Sequence, residues 1–138
     1  MTAIMHRWAI RLPAEFGHAD ITPELERLVS QSGVRTGVLT VQMLGSTGAI
    51  TTIEYESGAL NDLRRALDTL APTDADYDHN ARWGDGNGFS HVRSALLKTS
   101  LSLPILDGEI ALGTWQQVVA INLDNRARER ELVAVLLG

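Results

Sequence analysis

The sequence predicts an α+β fold, a mainly antiparallel β-sheet with a few short helices. Two observations carry this: helical patterns alternate irregularly with strand pairs, and short turns such as Asp107-Gly108 join the strands. A regular βαβ alternation, which would call for a parallel sheet, is absent.

Residues 8–12 (Trp-Ala-Ile-Arg-Leu) alternate loosely and read as a strand before Pro13. A helix starts at Thr22-Pro23-Glu24, with Thr22 as cap, Pro23 in the first turn and Glu24 at the positive end of the dipole. Leu25, Leu28 and Val29 share its apolar face, and Gly33 ends it in a left-handed conformation. Residues 37–44 are rich in β-branched and apolar types and read as a mostly buried strand. Gly45-Ser46-Thr47-Gly48 breaks the run, and residues 49–55 resume a strand pattern. Leu60, Leu63, Leu67 and Leu70 recur at helical spacing until Pro72. Residues 73–88 form a long polar loop with Gly84, Gly86 and Gly88, and long loops in small domains are often functional. Asn87 is placed to cap a helix carrying Phe89, Val92, Ala95 and Leu96. Residues 100–105, 109–112, 115–123 and 131–137 complete the strands.

The length, 138 residues, suits a single domain spanning residues 1–138. A formal charge of −5 argues against general nucleic-acid binding, which needs an excess of cations, but leaves room for a local arginine pocket. The absence of cysteine excludes disulfides, thiol nucleophiles and cysteine-ligated metals. No apolar run approaches the ~20 residues that span a bilayer, and the first residues lack a secretory pattern, so no membrane partner and a cytoplasmic location are expected.

Chemistry concentrates in residues 77–91, where His79, Asp85, Asn87 and His91 stand among three glycines. Imidazole beside carboxylate suits a divalent metal, and a helix start at Asn87 offers N–H groups to an anion. A solvated loop with locally bonded histidines fits the same pattern, and no zinc-type spacing is present. Ser46 and Thr47 suit an anion nest or a plain turn between strands. Glu54 sits in an otherwise neutral strand; facing inward it would need a cation. Arg126, Arg128 and Arg130 alternate, so an extended segment would project all of them to one side, as a phosphate clamp or as surface ion pairs. Trp115 fits core packing or a stacking wall.

In order along the chain, Gly45-Ser46-Thr47-Gly48, Tyr77-Asp78-His79-Asn80, Asp85-Gly86-Asn87-Gly88-Phe89-Ser90-His91, Gly113-Thr114-Trp115-Gln116 and Asp124-Asn125-Arg126-Ala127-Arg128 resemble the YjbQ family. The resemblance implies a homotrimer with secondary thiamine-phosphate synthase activity: a pyrimidine methyl diphosphate joins a thiazole phosphate and pyrophosphate leaves. It assigns His79, His91 and Glu54 to catalysis and His79, His91 and Asp85 to a divalent metal, Mg or Zn. Ser46, Thr47, Asn87, Arg126 and Arg128 would bind phosphate, and Trp115 with Gln116 would line the substrate pocket. The alternatives are a non-catalytic trimer holding a metal or a small phosphorylated metabolite, and a phosphate-ester hydrolase. The chain departs from the family pattern in lacking the first-motif histidine near Gly45, in lacking a proline before the first tail arginine, and in carrying Lys98 where glycine is more usual.

Overall fold

Alternating apolar residues build two antiparallel sheets that share one core. A computed structural model describes all 138 residues. The larger sheet has the order β1 (Ala3–Leu12), β8 (Arg128–Leu137), β3 (Thr36–Met43), β5 (Ser100–Leu106), β6 (Glu109–Ile110). The smaller has the order β2 (Gly17–Asp20), β7 (Gln117–Asn122), β4 (Gly48–Ile53). Leu39, Val41 and Met43 of β3, Ile105 of β5 and Leu132, Ala134 and Leu136 of β8 point inward against Ile50, Val118 and Ala120 of the smaller sheet. This inner face supplies most of the hydrophobic driving force for folding.

The helices cover the flanks. From α1 (Thr22–Ser32), Leu25 and Val29 enter the large core, and Gly33 (φ 71) ends the helix as expected. Leu60 and Leu67 of α2 (Ser57–Leu70) pack on the other face of the smaller sheet with Phe16, Ala49, Val119 and Ile121. Strand β7 is therefore buried on both faces, which explains why Val118-Val119-Ala120-Ile121 is a continuous apolar run rather than an alternation. Two further helices, α3 (Asp78–Trp83) and α4 (Gly88–Leu97), lie at one end of that sheet. No helix is long and apolar enough to cross a membrane.

Several elements differ from the sequence reading. Strand β1 begins at Ala3 rather than Trp8, because its ten residues all pair with β8. The short β2 gave no signal, being four residues that include a glycine and a histidine. The long loop contains α3. The strand expected over residues 109–112 shrinks to two residues, and Trp115 precedes β7 instead of belonging to it. Thr22 is not the cap: Asp20 accepts the Thr22 N–H at 2.9 Å, while the Thr22 hydroxyl oxygen accepts the Val118 N–H at 2.8 Å. Asn87 occupies the capping position of α4 without a side-chain cap bond, because its amide is engaged elsewhere; Asn80 instead accepts the Gly88 N–H at 2.8 Å.

Register decides what meets what. Gly48 pairs with Asn122 at one end of the small sheet and Ile53 with Gln117 at the other. Those ends are about 17 Å apart at ~3.4 Å per residue. The outer face of the large sheet is left open, with Met5, Val38, Val135 and Leu137 exposed.

Candidate functional site

At the Asn122 end, a guanidinium and a carboxylate are buried together. Arg130 is 6% exposed and Asp124 1%. Thr47 bridges them: its hydroxyl accepts from Arg130 Nη2 at 2.7 Å and donates to Asp124 Oδ2 at 2.9 Å. Asn122 Oδ1 accepts from Arg130 Nη2 at 2.6 Å, and Asn122 Nδ2 donates to the carbonyls of Pro13 and Arg126. Asp124 also accepts from Asn87 Nδ2 (3.2 Å) and the Arg126 N–H (3.0 Å), with Arg128 Nε 3.2 Å away.

Burial works against both ionised forms, and at Asp124 the surrounding bonds overcome it. Burial works to raise the Asp124 pKa, but the bonds from Thr47, Asn87 and the Arg126 N–H, with the Arg128 charge, outweigh it and hold the carboxyl below its ordinary value. Burial pushes the Arg130 guanidinium down; Asp124 opposes that shift and Arg128 adds to it.

This network shapes a cleft of about 380 Å³ lined by Asp85, Asn87, Asn125, Arg126 and Arg128. Its one lining carboxylate is partly engaged: Asp85 Oδ1 accepts the Asn87 N–H at 3.2 Å and lies 3.4 Å from His79 Nδ1. The Asn125 amide donates to the Asp85 carbonyl. Beside the second Asp85 oxygen, the groups facing the cleft without a protein partner are the exposed Arg126 guanidinium and the terminal nitrogens of Arg128, two charges to one. Such a surface selects an anion.

His79 joins this cleft to a second one. Its Nδ1 is buried and makes no hydrogen bond, and its ring centroid lies 4.3 Å from that of His91. His91 walls a cleft of about 360 Å³ with Gly45, Ser46, Ser94, Ala95, Lys98 and Thr99. Arg93, buried behind this wall, donates to the Ala71 carbonyl and to Asp68 and lies over the Phe89 ring, so α4 is fastened to the end of α2.

The predicted set is thus divided. His79, Asp85, Asn87, Arg126 and Arg128 come together, and Ser46 lies next door beside His91. Thr47 lines neither cleft, because its hydroxyl belongs to the buried network. Arg130 likewise leaves the expected arginine comb, its side chain turning inward on the same face as Leu132. Glu54 is exposed beyond the far end of β4. Trp115 is 73% exposed, and the Gln116 amide serves the Gly113 turn and Thr52. No aromatic pocket forms from these residues within the chain. The expected metal set does not fit either: no three His, Asp or Glu side chains of the chain gather as ligands, so His79, His91 and Asp85 do not form a closed divalent site. Sequence reasoning gave no role to Asn122, Asn125 or Lys98. Asn125 stood inside the quoted tail motif, whereas Asn122 at the end of an apolar strand gave no sign.

An α+β protein of two antiparallel sheets with an arginine cleft at one end is the class these features define. The chain belongs to the family described as UPF0047 protein YjbQ-like, whose model matches residues 6–138. It is 40% identical over 116 residues to a UPF0047 protein of Methanothermobacter thermautotrophicus, covering 84% of this chain and 80% of that one. It is 30% identical over 120 residues to the UPF0047 protein YjbQ of Salmonella typhimurium, covering 86% of each. Among solved structures it resembles a YbjQ-like protein of unknown function from Sulfolobus solfataricus, with TM-score 0.93 and 26% identity over 99% of this chain and 98% of that one. A member from Clostridium acetobutylicum superimposes with TM-score 0.86 at 26% identity, over 96% and 99% of the two chains. These comparisons correct the functional expectation: the family is one of unknown function, and none of these relatives is described as a thiamine-phosphate synthase.

Proposed function

We propose that the cleft at the Asn122 end binds a small phosphorylated metabolite through Arg126 and Arg128. One observation carries the reading: the Arg126 guanidinium and the outer nitrogens of Arg128 face the cleft without a protein partner, so two cations outnumber Asp85, the one lining carboxylate, whose Oδ1 is bonded to the Asn87 N–H. A forked guanidinium matches a phosphate better than it matches any neutral ligand. The Asn87 and Asn125 side chains, fixed by Asp124 and by the Asp85 carbonyl, keep the rim from collapsing onto the cations.

Isothermal titration with inorganic phosphate tests this. Binding that weakens about tenfold in Arg126→Ala, one lost charge-assisted contact, is the expected result; affinity unchanged by that substitution overturns the reading. Under the same reading the protein works as a homotrimer, supported by the uncovered apolar residues Met5, Val38, Val135 and Leu137 on the large sheet. Light scattering that returns a monomer at micromolar concentration removes the assembly and leaves the cleft.

A further inference from the structure

The second cleft has features that packing alone does not explain. Lys98 adopts φ 76, ψ 159, a backbone region almost confined to glycine. It is pinned on both sides, its N–H donating to the Ser94 carbonyl at 2.8 Å and its carbonyl accepting the Ile50 N–H at 3.1 Å. A lysine held this way projects from the end of α4 into the cleft wall. Across from it Gly45, at φ 125, lies so close to Arg130 that an added Cβ would stand 2.9 Å from Nη1. That nitrogen makes no hydrogen bond within the chain and keeps contact with solvent, whereas its neighbours Nε and Nη2 are engaged.

The groups left free in the cleft are therefore the Lys98 ammonium, the Ser46 hydroxyl and the His91 imidazole, with Arg130 Nη1 close to Gly45. The Ser94 and Thr99 hydroxyls are engaged with the Gly48 carbonyl and the Gln42 amide oxygen. No carboxylate lines the cleft. Donors and positive charge without a counter-ion suit an anion. The paired rings of His79 and His91 link it to the arginine cleft, His91 lining this one and His79 Nδ1 lying 3.4 Å from Asp85 of the other.

We infer that this cleft is a second anion subsite, in which Lys98 and Ser46 hold one acidic group of a bis-anionic metabolite whose first phosphate lies against Arg126 and Arg128. The inference rests on the reading of the arginine cleft given above and adds the substrate class: two anionic groups carried on a short neutral body. The competing role for Lys98 is to complement the negative end of the α4 dipole, which requires no ligand.

Calorimetric titration of the whole protein with glucose 6-phosphate and with glucose 1,6-bisphosphate decides between them. The expected result is that the bisphosphate binds at least tenfold more tightly. Lys98→Gly should abolish that advantage without weakening glucose 6-phosphate, and should raise the melting temperature as backbone strain is relieved; Lys98→Arg should keep the advantage. Equal affinities for the two sugars, with Arg126→Ala weakening both, would overturn the second subsite and leave the arginine cleft standing. An advantage that survives Lys98→Gly overturns it as well. No binding of either compound overturns both readings.

Discussion

The two ends of the small sheet are built from different material. At the Asn122 end, Thr47, Asn87, Asn122, Asp124 and Arg130 are buried and bonded to one another. At the Gln117 end the polar side chains are solvated and serve local turns, as Gln117 does in accepting the Tyr55 N–H and Gln116 in accepting that of Gly113. Burying a polar group costs free energy unless its bonds are made, so the first end has one allowed arrangement and the second has many. The free guanidiniums sit beside the fixed end. Asp124 positions both, accepting the Arg126 N–H at 3.0 Å and lying 3.2 Å from Arg128 Nε.

The sharpest way to break the contrast is to remove the carboxylate at its centre. Asp124→Ala should lose about 3–5 kcal/mol in urea denaturation, because it leaves Arg130 buried and uncompensated. The same residue makes stability depend on acid. Its pKa is lowered in the native state, so below the ordinary aspartate value of about 3.9 the unfolded chain takes up protons first. The contribution is complete above that value and is lost as pH falls through the depressed native one. Asp124→Asn should flatten this acid limb; a limb of unchanged slope would show that the charge is not what stabilises the network.

A smaller effect separates the ends directly. Thr47→Val keeps shape but deletes the hydroxyl between Arg130 and Asp124, at a cost of about 1–3 kcal/mol. Thr52→Val, near the other end of β4, removes an exposed partner of Gln116 and should stay within about 0.5 kcal/mol. Equal losses at the two positions would mean that the buried end is no more fixed than the exposed one.

Much of this was legible in the sequence, and the part that was not has a common cause. Helical and strand periods identified the cores of α1, α2, β3 and β7, and the tail motif carried Arg126 and Arg128. Local pattern failed where long-range register decides. Glu54 and Ser46 are close in the chain, yet β4 runs between them, so one reaches the His91 cleft and the other the far end. Arg128 and Arg130 do share one side of β8, but there Arg130 is buried while Arg128, at the strand's first residue, stays partly exposed at the cleft. Arg126 lies before β8 in a bend whose N–H is held by Asp124, so it escapes the alternation and remains available. Only the β4–β7 and β1–β8 pairings, which join residues far apart in sequence, reveal this.

The smallest expected effect tests the comparison from its weaker side. Trp115→Ala and Glu54→Gln alter the two residues that motif and chemistry most strongly proposed at the Gln117 end, and both side chains are exposed. Each should leave phosphate affinity unchanged within twofold and stability within about 0.5 kcal/mol, since no buried partner is lost. Arg126→Ala, at the opposite end of the small sheet, should weaken phosphate about tenfold while matching them in stability, because its guanidinium makes no hydrogen bond or ion pair within the chain. A loss of phosphate binding in Trp115→Ala equal to that in Arg126→Ala would join the two ends into one site. Within a single chain the β4 register forbids that, so the Trp115 in question would have to come from a neighbouring copy.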